Sequence, residues 1–181
     1  TPLAGKRFGV ARRSADALPA PLGTLFADYL DLVRRLGGTV VDVSMPVFPP
    51  DLVVGDRVEM GTYHRQFADR LGSYRPENAV SAGIAIAAVA IPAIDYLTAE
   101  RNRLRFQHEY NRMFADNDLD AVLVPGSKVD GAKRIEIAGI SVFDGVTGNV
   151  GWANSTGAPV VCTPAGRSPV TGLPFGVQIG G

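Results

Sequence analysis

A chain of 181 residues with 46% hydrophobic content is long enough to bury a core, and one domain over residues 1–181 is the natural expectation. Its 18 basic residues balance 18 acidic ones, which excludes the strong field of a nucleic-acid binder or a protein recruited to anionic membrane. A single cysteine, Cys162, excludes an internal disulfide and suits a reducing, cytoplasmic setting.

Taken in order, Arg7–Ala11 reads as a short apolar strand. Leu22, Leu25, Phe26, Tyr29, Val33 and Leu36 then recur at helical spacing, and Gly37-Gly38 supplies a left-handed stop. Thr39–Val43 is the next strand, so the opening is a βαβ unit with parallel strands. The linker SADALPAPLG carries no G-x-G-x-x-G, which disfavours a dinucleotide site. Met45–Pro50 is a stiff connection because its prolines fix their own backbones and extend their predecessors.

A helix is expected from about Leu52 to Leu71, with Met60, Tyr63, Phe67 and Leu71 on its apolar face. His64 lies near that face without a partner motif and reads as a structural histidine. The run AVSAGIAIAAVAI at 79–91 is shorter than the roughly 20 residues of a membrane-spanning helix. Its small residues suit a closely packed internal helix or a surface against further protein. From Pro92 to Asp116 runs the longest helical pattern, with Phe106, Tyr110, Met113 and Phe114 as one stripe and Leu97 and Leu104 nearly opposite. A helix apolar on two sides is expected to be covered on two sides. Arg101, Arg103, Arg105 and Arg112 are interspersed with Glu100 and Glu109 and read as solvated ion pairs, with His108 exposed among them.

Leu119–Val124 reads as a buried strand ending at Pro125-Gly126, after which Ser127 and Lys128 sit where ligand loops of α/β sheets occur. PGSKVDG is not a nucleophile elbow, and two histidines of unrelated setting build no relay. Gly145, Gly148 and Gly151 match neither phosphate-binding glycine spacing, so backbone flexibility beside a pocket accounts for them. His64, His108 and Cys162 are dispersed, so no metal site and no cofactor is expected. The segment Asn149–Pro159 reads as a turn of small and polar groups beside Trp152, which either lines a pocket or simply turns. Val160–Cys162 and Phe175–Ile179 read as buried strands joined hairpin-fashion by AGRSPVTGLP, with Cys162 a small buried hydrophobe.

Four ordered motifs carry a resemblance: Asp120-Ala121-Val122-Leu123-Val124-Pro125, Asn154-Ser155-Thr156-Gly157-Ala158-Pro159-Val160-Val161, Pro164-Ala165-Gly166, and Gly172-Leu173-Pro174-Phe175-Gly176-Val177-Gln178. Together with the opening Leu3–Val10 they resemble the C-terminal half of amidase-signature enzymes, so the likeness runs from end to end. The resemblance implies an α/β fold, a mixed and largely parallel sheet with helices packed on its faces. It also implies hydrolysis of a carboxamide C–N bond to an acid and ammonia or amine through an acyl-serine intermediate. In that family a lysine and two serines in a preceding Gly/Ser-rich half do the chemistry. Lys6, Lys128 and Lys133 have no matching context, so no catalytic residue is carried over.

The start at Thr1-Pro2 and the stop at Gly180-Gly181 are expected of a cut from a longer enzyme. By the resemblance, Thr147, Asn149, Trp152 and Asn154 are candidates for lining the substrate pocket. The A subunits of tRNA amidotransferases carry an acidic residue near the place of Thr147, which argues against glutamine as substrate. The expected partners are a small-molecule amide, the N-terminal half of the same enzyme and, through exposed apolar surface, a further copy of the chain; neither nucleic acid nor membrane is expected. A non-catalytic small-molecule-binding or assembly domain reusing this half-fold is the alternative.

Overall fold

The computed structural model describes residues 1–131, 133–137, 140–144 and 151–181. Thr147, Asn149, Gly145 and Gly148 lie outside the described residues. The chain forms two compact units, residues 1–46 with 107–133 and 143–181, and residues 47–106 with 134–142.

The first unit is built on a five-stranded sheet. Its strands are β1 (Arg7–Ala11), β2 (Thr39–Val43), β3 (Ala121–Pro125), β6 (Val160–Arg167) and β7 (Pro174–Gly180), in the order β2-β1-β3-β7-β6. β1 pairs in parallel with both β2 and β3, whereas β7 is antiparallel to β3 and β6. The sheet is therefore mixed, parallel on one side of β3 and a hairpin on the other. The five residues of β3 are all buried, as its unbroken apolar sequence requires of a central strand.

Helix α2 (Ala20–Arg35) covers one face of this sheet, burying Leu22, Phe26, Leu30 and Val33 against Phe8, Val10, Leu123, Phe175 and Val177. Its end is a Schellman stop: Gly37 has φ 94° and donates to Arg34 O at 2.9 Å, and Gly38 donates to Val33 O at 3.0 Å. Only glycine adopts that backbone without strain, so the Gly37-Gly38 signal reports a physical need. A short helix, α1 (Arg12–Asp16), follows β1, although the sequence there showed no helical periodicity.

The second unit contains α3 (Leu52–His64), a 3₁₀ segment (Arg65–Ser73), α4 (Pro76–Ala88) and the first part of α5 (Ala93–Asn117). The expected helix to Leu71 stops at His64, and Phe67 has non-helical φ/ψ. Its expected apolar face is corrected too: Met60 is 39% and Tyr63 60% exposed, while Leu52, Gly55 and Gly61 are the buried residues. Small residues let α3 and α4 approach closely, since a Cβ at Gly61 would collide with the backbone carbonyl of Ala85. His64 Nδ1 meets the Tyr74 hydroxyl at 3.1 Å and is half-buried, a structural histidine as expected. Arg103 sits among Asp56, Glu100 and Glu59, at 2.9, 3.3 and 3.7 Å. Strands β4 (Lys133–Ile137) and β5 (Ile140–Asp144) form a separate two-stranded sheet. Among the described residues no single helix is long and apolar enough to cross a membrane; α4 and α5 combine that length with that apolar character only as a pair, bent by 109°.

Two further expectations are corrected. Cys162 is exposed rather than buried, because β6 is the outermost strand and most of its residues lie open. Leu97 and Leu104 of α5 are 56% and 67% exposed, so the second apolar side of that helix is uncovered. The Phe106, Tyr110 and Met113 stripe is buried as expected.

Candidate functional site

Of the pocket candidates, Trp152 and Asn154 stand on α6 (Gly151–Thr156), a helix where the sequence suggested only a turn. The helix closes on itself locally. Gly157 N–H donates to Ala153 O at 2.9 Å, the Thr156 hydroxyl donates to Trp152 O at 2.9 Å, and Ala158 N–H donates to Thr156 Oγ1 at 3.2 Å. Gly157 follows with φ 73°. These turn residues are the N-S-T-G segment of the sequence, which here ends a helix.

Trp152 is buried and stacks on Tyr110 of α5 with centroids 5.6 Å apart and planes at 28°. Its six-membered ring lies against Gly180 of β7, where no side chain would fit. The indole Nε1 is buried and has no hydrogen-bond partner among the described residues, an orphan donor of the kind that buried groups rarely leave. Gln107 Nε2 donates to Ser155 O at 3.1 Å and ties α6 to α5. Burial pushes the Tyr110 hydroxyl up from its ordinary value, so it stays protonated and faces Gly181 O at 3.5 Å as a neutral donor rather than a base. Asn154, two residues on from Trp152, is exposed and presents its carboxamide to solvent.

The loop after β3 is held by a polar clamp that sequence reasoning missed. Ser168 donates to Asp130 Oδ2 at 2.6 Å and Thr171 donates to Asp130 Oδ1 at 2.7 Å. Ser168 Oγ also accepts from the N–H groups of Val170 and Thr171, at 3.1 and 3.2 Å. The hydroxyl is thus consumed by structure, held between two backbone donors and the Asp130 carboxylate. The S-x-x-T pattern of the turn was readable in sequence, but its partner Asp130 lies 38 residues away and was not. Ser127 is engaged as well, donating to Val129 O at 2.9 Å and accepting from Val129 N–H at 3.2 Å, and Lys128 is exposed.

A cavity of about 520 Å³ opens at the end of β2, lined among others by Asp42, Ser44, Glu109, Arg112, Asp116 and Asn117. Arg112 pairs with Asp116 at 3.5 Å and Arg12 grips Asp42, which leaves the Glu109 carboxylate outside both pairs. Ser44 is its one hydroxyl, and neither histidine nor lysine lines it among the described residues. That composition holds polar or cationic groups in place but assembles no nucleophile with its base.

The fold and these sites define an α/β protein with a mixed sheet whose described residues carry a packed aromatic pair, an orphan indole donor and hydroxyls tied into turns. The family model described as amidase matches residues 1–181, and the chain belongs to that family. It is 24% identical over 204 residues to the A-type component of the glutamyl-tRNA(Gln) amidotransferase from Maricaulis maris (strain MCS10), a match that takes in 97% of this chain and 40% of that protein. The chain thus spans about 40% of the length of this curated relative. Among solved structures, an amidase is matched with a TM-score of 0.74 at 20% identity, covering all of this chain and 42% of that one. A bacterial aryl acylamidase of the amidase-signature family is matched with a TM-score of 0.68 at 16% identity, over 99% of this chain and 40% of that one. At such identities these structures speak to the fold, and they bear out the mixed α/β sheet read from the sequence.

Proposed function

We propose that this chain is the pocket-forming, carboxy-terminal portion of a longer amidase that hydrolyses a carboxamide C–N bond. The catalytic lysine and serines lie in the preceding half, outside these 181 residues. A serine Oγ there adds to the amide carbonyl carbon, and backbone N–H groups stabilise the resulting oxyanion. The C–N bond then breaks, ammonia or an amine leaves with a proton, and water releases the acid from the acyl-serine. Thr147, Asn149, Trp152 and Asn154 line the acyl or leaving-group pocket.

The observation that carries this reading is the family match over the whole chain together with its span of about 40% of the relative's length. The orphan Nε1 of Trp152 and the exposed Asn154 amide suit recognition of a carbonyl and a polar substituent. The test is ammonia or amine release from a panel of simple amides, comparing the 181-residue chain with the same chain joined to its amino-terminal half. Turnover is expected in the joined protein alone, and Asn154→Ala there should raise KM. Turnover by the short chain would overturn the reading. Silence in both would favour a non-catalytic binding domain.

A further inference from the structure

We propose that Asp130-Gly131 is a site of spontaneous backbone isomerisation to isoaspartate, and that the Ser168 and Thr171 hydroxyls hold it closed while the β6–β7 turn is intact, independently of any amide turnover.

The liability follows from what the fold requires at residue 131. Gly131 has φ 86°, a backbone that residues other than glycine adopt only under strain. A Cβ there would also stand 3.0 Å from Leu173 Cδ1 on the β6–β7 turn. Glycine is therefore demanded twice, by conformation and by space. Yet glycine leaves the amide nitrogen after an aspartate unshielded, the arrangement in which that nitrogen reaches the aspartate side chain most readily. Gly131 N–H makes no hydrogen bond among the described residues that would hold it back. The chemistry needs nothing but water. The Gly131 nitrogen adds to Asp130 Cγ, a C–N bond forms and a Cγ–O bond breaks, and the oxygen leaves as water with the amide and carboxyl protons. Water then opens the five-membered succinimide. Breaking the new Cγ–N bond restores aspartate, whereas breaking the original peptide C–N bond leaves the chain running through Cβ and Cγ, with the old carbonyl carbon as a free carboxylate.

The clamp opposes the first step. Both carboxylate oxygens of Asp130 are engaged by another segment, Oδ2 by the Ser168 hydroxyl at 2.6 Å and Oδ1 by the Thr171 hydroxyl at 2.7 Å. While both bonds stand, Cγ cannot turn about Cα–Cβ toward Gly131 N. Ser168 is itself buried and fixed by the N–H groups of Val170 and Thr171, so the restraint is anchored in the turn and not in the loop that carries Asp130. The turn is closed in its own right, with Ser168 N–H donating to Leu173 O and Gly172 N–H to Ser168 O, each at 2.9 Å. Opening it releases the carboxyl. The product no longer matches the clamp, because the main chain has gained a methylene and the carboxylate has lost the one that carried it. Isomerised Asp130 is thus a lasting record of turn opening.

Peptide mapping of the 181-residue chain held at neutral pH tests this, since isoaspartate leaves a peptide's mass unchanged but shifts its retention and is located by electron-transfer fragmentation. Isomerisation at Asp130 should be at least about tenfold slower in the folded chain than in urea, because the folded chain reacts only through local opening. Ser168→Ala and Thr171→Val should each speed it about tenfold in the folded chain, the effect of losing one hydrogen bond to a charged group. Thr171→Val keeps Ser168 and the two N–H groups it serves, so it reads the clamp separately from any loosening of the turn. Asp144-Gly145, the chain's other Asp-Gly pair, is the internal reference, and its rate should be the same in both variants as in the parent. Isomerisation at Asp130 as fast in the folded chain as in urea, or none in either, would overturn the proposal. So would folded variants that both keep the parent's rate, or a rise of equal size at the two Asp-Gly pairs.

Discussion

Asp120 shows how one side chain fastens the entry of the sheet. Its carboxylate accepts from Lys6 Nζ and from Arg7 N–H, each at 2.7 Å, while its own N–H donates to Arg7 O at 2.8 Å. The Lys6 hydrogen bond, and then the Arg7 N–H, hold the carboxyl below its ordinary 3.8, and the same pairing raises Lys6 above 10.5. A depressed carboxyl stabilises the fold above its unfolded pKa and loses that contribution as pH falls through the folded value. The raised lysine contributes below 10.5 and loses its share as pH rises past the folded value. Asp120→Asn should therefore lower the melting temperature at neutral pH and flatten its decline between about pH 5 and pH 2. Melting curves across that range check this, and a variant that declines as steeply as the parent would contradict it. A larger effect is expected at Ser168, which is buried at 3% exposure and serves two N–H groups and Asp130. Ser168→Ala strands those N–H groups and should cost about 1–3 kcal/mol in urea unfolding. Neither pairing was legible in the sequence, because 114 residues separate Lys6 from Asp120 and 38 separate Asp130 from Ser168. Local spacing carries no information about such partners.

At the scale of elements, legibility follows how local the determining force is. β1, α2 and β2 were readable because an apolar period and a glycine pair fix them within their own residues. The hairpin of β6 and β7 was readable from its Pro/Gly turn, yet the burial of β6 was not, since edge or centre depends on what lies beside it. The expected apolar face of α3 failed for a different reason. Its period presumed 3.6 residues per turn through Leu71, but the chain tightens to a 3₁₀ segment at Arg65, which takes Phe67 and Leu71 off that row. What fixes α3 is instead close approach to α4 at Gly61. Gly61→Ala forces the helices apart and should destabilise by about 1–3 kcal/mol. Gly23 in α2 is the matched contrast, with nothing within 4 Å of where its Cβ would stand. Gly23→Ala should stabilise by about 0.5–1 kcal/mol, because it only restricts the unfolded chain. Urea midpoints of the two variants moving in the same direction would refute this account of the α3–α4 crossing.

For the molecule as a whole, the informative feature is apolar surface that the chain itself leaves open. Ile94, Leu97 and Leu104 on α5 are 65%, 56% and 67% exposed, and their spacing of three and seven residues places them on one seam with Arg101. The sequence showed that α5 is apolar on two sides, but the rule that apolar faces are covered says nothing of whether the cover is in the same chain. On the candidate site the same limit applies. Trp152 and Asn154 were named from a family likeness, while the stack on Tyr110 and the orphan Nε1 depend on how α6 meets α5. An exposed seam of large aliphatic groups favours association in water. The 181-residue chain should therefore self-associate reversibly, with a sedimentation coefficient that rises with concentration. Leu97→Lys combined with Leu104→Lys should abolish that rise, since both residues are already exposed and their replacement empties no core position. A parent chain that stays monomeric over the whole concentration range, or a double variant that associates as strongly as the parent, would mean that the α5 seam does not drive association.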